Sequence, residues 1–98
     1  MRVWVIGLLA AGAATSAQGE SGREVYESSC AVCHATGVAE APKFGDRAQW
    51  ATRAASGRDA LAASAIKGKG AMPPRGGNPA LKDSDIRNAV DYLLQAAR

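Results

Sequence analysis

Cys30-Ala31-Val32-Cys33-His34 places two thiols and an imidazole within five consecutive positions, and these are the only cysteines and the only histidine of the 98-residue chain. CxxCH spacing is the sequence signature of c-type haem attachment. Two thiols three positions apart on a helical turn reach the two vinyl groups on one edge of a porphyrin, and the next residue projects its imidazole toward the iron. Each thioether then prevents haem loss even when the fold opens transiently. Other uses of the same residues carry less weight. A thioredoxin-like redox pair expects a βαβ setting, which this sequence does not show. A structural zinc site wants four ligands, so a carboxylate would have to join two cysteines and one histidine. A disulfide across a two-residue gap closes a very short loop and restricts the unfolded chain little.

One imidazole leaves a second axial position on the iron, and Met72 can fill it. The chain has two methionines, and Met1 would depart with an amino-terminal leader. Gly70 lets the backbone near Met72 approach a porphyrin without a Cβ clash, and Pro73-Pro74 stiffens the chain after it. Methionine also serves as a plain gap filler. With Met72 as ligand, the neutral thioether favours Fe(II), and His/Met coordination raises the reduction potential. Both axial sites are then occupied by side chains, so the chemistry is electron transfer rather than catalysis.

The elements that must position these residues read as helices. No stretch alternates apolar and polar residues with period two, whereas several repeat at helical spacing behind plausible caps. Ser21 with Glu24 has capping-box spacing and opens a helix through Val25 and Tyr26 to about Cys30, with a last turn reaching toward Cys33. Asp46 with Gln49 starts a short helix through Trp50 to Ala55. Ser56, three before Asp59, marks a third start, and Ala60 to Ile66 carries that helix until Gly68 stops it. Asp83 or Ser84 opens the last, in which Ile86, Ala89, Val90, Leu93 and Ala97 share one face. Between them lie Ala35 to Gly45 and the Gly/Pro-dense segment Gly68 to Pro79. A loop of that length in a small domain is usually functional or disordered.

The amino end reads as a targeting segment: Met1-Arg2 is a short positive start, Val3 to Ala14 is uncharged and largely apolar, and Thr15-Ser16-Ala17 offers small residues for a peptidase. About twelve apolar residues fall short of the ~20 a spanning helix needs. The reading is therefore a cleaved signal peptide over residues 1–17, a single domain over 18–98, and no stable membrane insertion after cleavage. A chain of roughly 80 residues buries only about 60–65% of its extended surface, so a cross-link or cofactor must help it fold. The net charge of +3 comes from basic residues scattered singly, without the basic stripe a nucleic-acid binder needs.

CxxCH, the segment Gly70-Ala71-Met72-Pro73-Pro74-Arg75-Gly76-Gly77 and the following Leu81-Lys82-Asp83 together resemble a class I cytochrome c of the cytochrome c5 type. Gly22, Val25, Tyr26, Gly37, Val38 and Ala41-Pro42-Lys43 extend the likeness over essentially all of residues 21 to 98. The resemblance implies an all-α fold of about four helices wrapped around one covalently bound haem c, with its iron held by His34 and Met72. It also implies that the Pro42 carbonyl accepts the His34 Nδ1 proton, and that Trp50 and Arg53 lie near the haem propionates. The Cys30 helix would cross the Val90 to Leu94 helix, with Gly22 and Tyr26 near Tyr92. Ordinary core packing is an equal alternative for Trp50, Tyr26 and Tyr92. One departure stands out: many relatives carry a further disulfide, and this sequence has no cysteine beyond Cys30 and Cys33.

Three functions compete. The leading one is a mobile electron carrier in a bacterial periplasm, not an enzyme, exchanging electrons with redox proteins that dock near Lys67, Lys69 and Arg75. The second is a haem subunit held in a complex with an exported dehydrogenase or oxidase. The third is a ligand-binding or peroxidase-like haem with an open axial site. In all three, haem supplies most of the cross-linking. A Cys30→Ala/Cys33→Ala chain without haem should therefore lack stable tertiary structure, and a cooperative thermal melt of that apoprotein would overturn the expectation.

Overall fold

A computed structural model describes residues 21–98 of the chain. The signal peptide expected over residues 1–17 lies outside the described residues. Four helices account for most of the ordered backbone, and the all-α expectation holds: among the described residues there is no strand, only an isolated bridge between Lys69 and Met72. No helix among them is long and apolar enough to cross a membrane.

Helix α1 begins as α-helix over Gly22–Val25, widens to a π-helical turn over Tyr26–Cys30 and closes as α-helix over Ala31–His34. The capping box forms: Ser21 Oγ accepts from the Glu24 amide at 3.2 Å, and the Glu24 carboxylate accepts from the Ser21 amide at 2.9 Å. Those bonds hold the Glu24 carboxyl below its ordinary pKa, the backbone bond contributing most. The π turn is not what the spacing predicts. It inserts one residue, so everything after it is rotated by about 100° around the helix axis relative to a continuous α-helix.

Helix α2, Arg47–Ala54, starts where the sequence places it, with Asp46 Oδ1 accepting from the Gln49 amide at 3.0 Å. Helix α3, Arg58–Lys67, starts one residue later than Ser56 suggests: Gly57, at φ 92, holds the capping position. Gly68 ends it as expected, also with a positive φ. Helix α4, Asp83–Ala96, is capped by Lys82 rather than Asp83 or Ser84, and the Asp85 carboxylate accepts from the Lys82 amide at 2.9 Å. Asp83 and Asp85 in this first turn also complement the helix dipole.

Packing follows the apolar face of α4. Ile86, Ala89 and Val90 join Val25, Ala62 and Leu81 in one cluster, while Leu93 joins Tyr26 and Trp50 in a second. Cys30 and Leu94 touch both clusters. Helices α1 and α4 cross at Gly22, where a Cβ would overlap the Asn88 carbonyl oxygen and lie 3.2 Å from Tyr92 Cβ. Tyr26, Phe44 and Tyr92 stack against one another beside this crossing, with ring centroids 4.7 to 5.6 Å apart. Arg58 ties α3 to α4 through Asp91 at 2.6 Å. Because backbone, not a flexible side chain, occupies the space beside Gly22, Gly22→Ala should destabilise the haem-loaded protein by about 1–3 kcal/mol, read as a lower denaturant midpoint.

Candidate haem site

His34 is the last residue of α1 and is buried. Its Nδ1 lies 2.8 Å from the Pro42 carbonyl oxygen. A carbonyl can only accept, so Nδ1 carries the proton and Nε2 is left with a free lone pair, the form in which imidazole binds a metal. The intervening segment makes this return possible. Gly37 donates its amide to the Cys33 carbonyl, a short 3₁₀ turn follows over Val38–Glu40, and Ala39 and Glu40 take positive φ values of 53 and 65. Phe44 then donates to the His34 carbonyl at 2.7 Å, so the chain is anchored on both sides of Pro42.

Cys30 and Cys33 are half-buried free thiols on the same helix. Burial pushes the Cys30 thiol up to about 11, so before any bond is made it is protonated at neutral pH. That is the opposite of the depressed pKa of a reactive redox pair. The described residues include no group of three or more His, Cys, Asp or Glu side chains that could hold a metal ion.

Met72 is half-buried in the segment after α3. Its backbone exchanges two hydrogen bonds with Lys69, at 2.9 and 3.0 Å, and the Pro73 carbonyl accepts from Gly76 at 3.1 Å. A 3₁₀ turn over Pro74–Gly77 carries three consecutive positive φ values at Arg75, Gly76 and Gly77. Arg75, at φ 56, is held by its guanidinium, which donates to the Leu81 carbonyl at 3.0 Å and pairs with Asp83 at 2.8 Å. The loop rests against the π turn of α1: a Cβ on Gly76 would lie 3.1 Å from the Ser29 carbonyl oxygen, and Asn78 Nδ2 donates to Ser29 Oγ at 3.2 Å.

Trp50 is buried with its ring centroid 5.8 Å from that of His34, and its indole N–H donates to the Lys43 carbonyl at 3.0 Å. Arg53 is exposed, and its guanidinium donates to the Gln49 carbonyl of its own helix at 2.8 Å. The structure thus brings Pro42 and Trp50 to His34 and leaves Arg53 on the outer face of α2. Sequence reasoning missed Ser29 and Asn78. The one signal available was a polar residue directly following the Gly76-Gly77 pair.

The residues fit haem c. Two thiols on one helix and an imidazole nitrogen with a free lone pair are the groups that suit haem attachment and haem iron. Cys30 sits where the two apolar clusters meet, which is where a tether to a large apolar ring belongs.

Over residues 17–93 the chain matches the family model described as cytochrome C oxidase, cbb3-type, subunit III. It is 47% identical to cytochrome c-555 of Chlorobaculum thiosulfatiphilum, across 76% of this chain and 91% of that protein. The chain belongs to the class I c-type cytochromes. This cytochrome is also 42% identical to cytochrome c5 of Azotobacter vinelandii, across 74% of its own length and 90% of the relative's. A cytochrome c solved in an electron transfer complex with nitrite reductase superposes with a TM-score of 0.78 at 54% identity, covering 82% of this chain and 98% of that one. Haem c, with its iron, is the cofactor of this cytochrome.

Proposed function

We propose that this cytochrome is a periplasmic single-electron carrier, exported by a leader over residues 1–17 and acting between redox proteins without itself being an enzyme. Cys30 and Cys33 hold the haem covalently, His34 and Met72 ligate its iron, and Trp50, beside His34, lies toward the propionates. The observation that carries the reading is the His34 to Pro42 hydrogen bond, which turns the imidazole's free lone pair into a fixed ligand. Haem c supplies the one-electron Fe(III)/Fe(II) couple. The protein's part is to hold its ligands still, so that a change of oxidation state requires little rearrangement. His34 is fixed by Pro42 and Phe44, and Met72 by a loop with its own internal bonds. Val32, between the two cysteines, is 77% exposed, which supports a tethered edge close to the surface and open to a partner.

Redox proteins are the partner class, as for the cytochrome c solved with nitrite reductase. Of the three cations near the Met72 loop, Arg75 is committed to Asp83 and Leu81. Lys67 and Lys69 are exposed and are the ones we assign to docking. The family model's description favours a second reading, a haem subunit held in a complex with an exported dehydrogenase or oxidase. The near-complete coverage of cytochromes c-555 and c5 favours the carrier.

Spectra of the oxidised and reduced protein, with a pyridine haemochrome assay, test attachment and ligation together. Met72→Ala should abolish the methionine-to-iron charge-transfer band of the oxidised protein and lower its reduction potential, with haem still attached; a band that survives the substitution would overturn the assignment. Docking through Lys67 and Lys69 predicts that electron transfer to an acidic partner slows steeply with added salt. Salt-independent rates would count against it.

A further inference from the structure

Asn78 has four hydrogen-bonding groups, and three are used inside its own loop. Its amide donates to the Arg75 carbonyl at 3.1 Å, its carbonyl accepts from the Leu81 amide at 3.1 Å, and its Oδ1 accepts from the Ala80 amide at 3.1 Å. The remaining donor, Nδ2, reaches back 49 positions to Ser29 Oγ at 3.2 Å. Ser29 lies in the π turn of α1, one residue before Cys30, and is buried. Gly76 meets the same residue from the backbone side, close enough that a Cβ would sit 3.1 Å from the Ser29 carbonyl oxygen. Two independent contacts therefore converge on Ser29.

The segment between Met72 and Asn78 is stiff. Met72 is bonded twice to Lys69, Pro73 to Gly76, and Arg75 to Asn78, while the Arg75 guanidinium is anchored at the start of α4. A displacement at Asn78 is therefore passed to Met72 instead of being absorbed between them. We infer that Asn78 and Ser29 are positioning residues for the axial ligand: their side-chain bond latches the Met72 loop onto the helix that carries Cys30, Cys33 and His34, and so sets how readily the methionine leaves the iron. This rests on the His34/Met72 ligation proposed above.

The test uses the oxidised holoprotein and imidazole, an exogenous ligand that must displace Met72 before it binds iron. One neutral hydrogen bond sets the scale. Ser29→Ala should tighten apparent imidazole binding by about three- to tenfold, and Asn78→Ala by at least as much, because it also loses the Ala80 bond. The double variant should bind no more tightly than Asn78→Ala alone, since both changes break one contact. Arg58→Ala, which breaks the α3 to α4 ion pair away from the loop, should lower the unfolding midpoint without changing imidazole binding. Unchanged imidazole affinity in Ser29→Ala alongside a lower unfolding midpoint would overturn the latch, because the bond would then be structural only. Effects of the two single changes that multiply in the double would overturn it as well. If Asn78→Ala does not load haem, Ser29→Ala decides the matter alone. A parent protein lacking the methionine-to-iron band overturns the ligand assignment and this inference with it. A parent protein with the band, and variants with unchanged imidazole affinity, overturn only the latch.

Discussion

A carbonyl oxygen has no proton to give, so the contact between Pro42 and the His34 ring fixes the histidine's tautomer and its orientation together. Three consecutive residues share this work. Pro42 holds the imidazole, the Lys43 carbonyl receives the Trp50 indole N–H, and the Phe44 amide closes on the His34 carbonyl. This short stretch thus joins the end of α1 to α2 and seats Trp50 beside the histidine. Reaching that position requires Ala39 and Glu40 to adopt left-handed backbone, at a cost of about 1–2 kcal/mol for each residue with a Cβ. The bonds on either side of the turn hold it there.

The apolar interior is small and divided. Among the described residues Val25 is the largest side chain that is wholly buried, and the two clusters are joined through Cys30 and Leu94. A domain of this size gains little margin from side chains alone, so a large apolar cofactor bound covalently at the junction serves both as redox centre and as part of the core. The α1 to α4 crossing is the other fixed point. It depends on the missing Cβ of Gly22 against the Asn88 carbonyl and on the Tyr26, Phe44 and Tyr92 stack beside it. Cofactor tether and helix crossing are thereby carried on a single short helix.

The π turn places Ser29 within reach of Asn78 while keeping Tyr26 buried. It also brings the carboxyl half of the chain back to the motif. Arg75 lies beside Met72 in the sequence as Lys67 and Lys69 do, but its guanidinium turns inward to the start of α4. Linear proximity to Met72 did not separate a cation that braces the loop from two that face solvent.

Much of this protein is local and therefore legible in the chain. CxxCH, the capping spacings at Ser21 and Asp46, the stop at Gly68 and the apolar face of the last helix each depend on contacts within a few residues, and each is in place. Helix starts slipped by a residue, at Ser56 against Gly57 and at Asp83 against Lys82, where Lys82 offers no side-chain acceptor and the Asp85 carboxylate closes on its amide instead. What the sequence by itself could not determine is whatever depends on two distant segments meeting: the π turn, the Trp50 indole spent on Lys43, the Arg75 brace and the bond from Asn78 to Ser29. Residue type gives a side chain its donors and acceptors, but only the folded chain decides which partner lies within hydrogen-bonding distance of them.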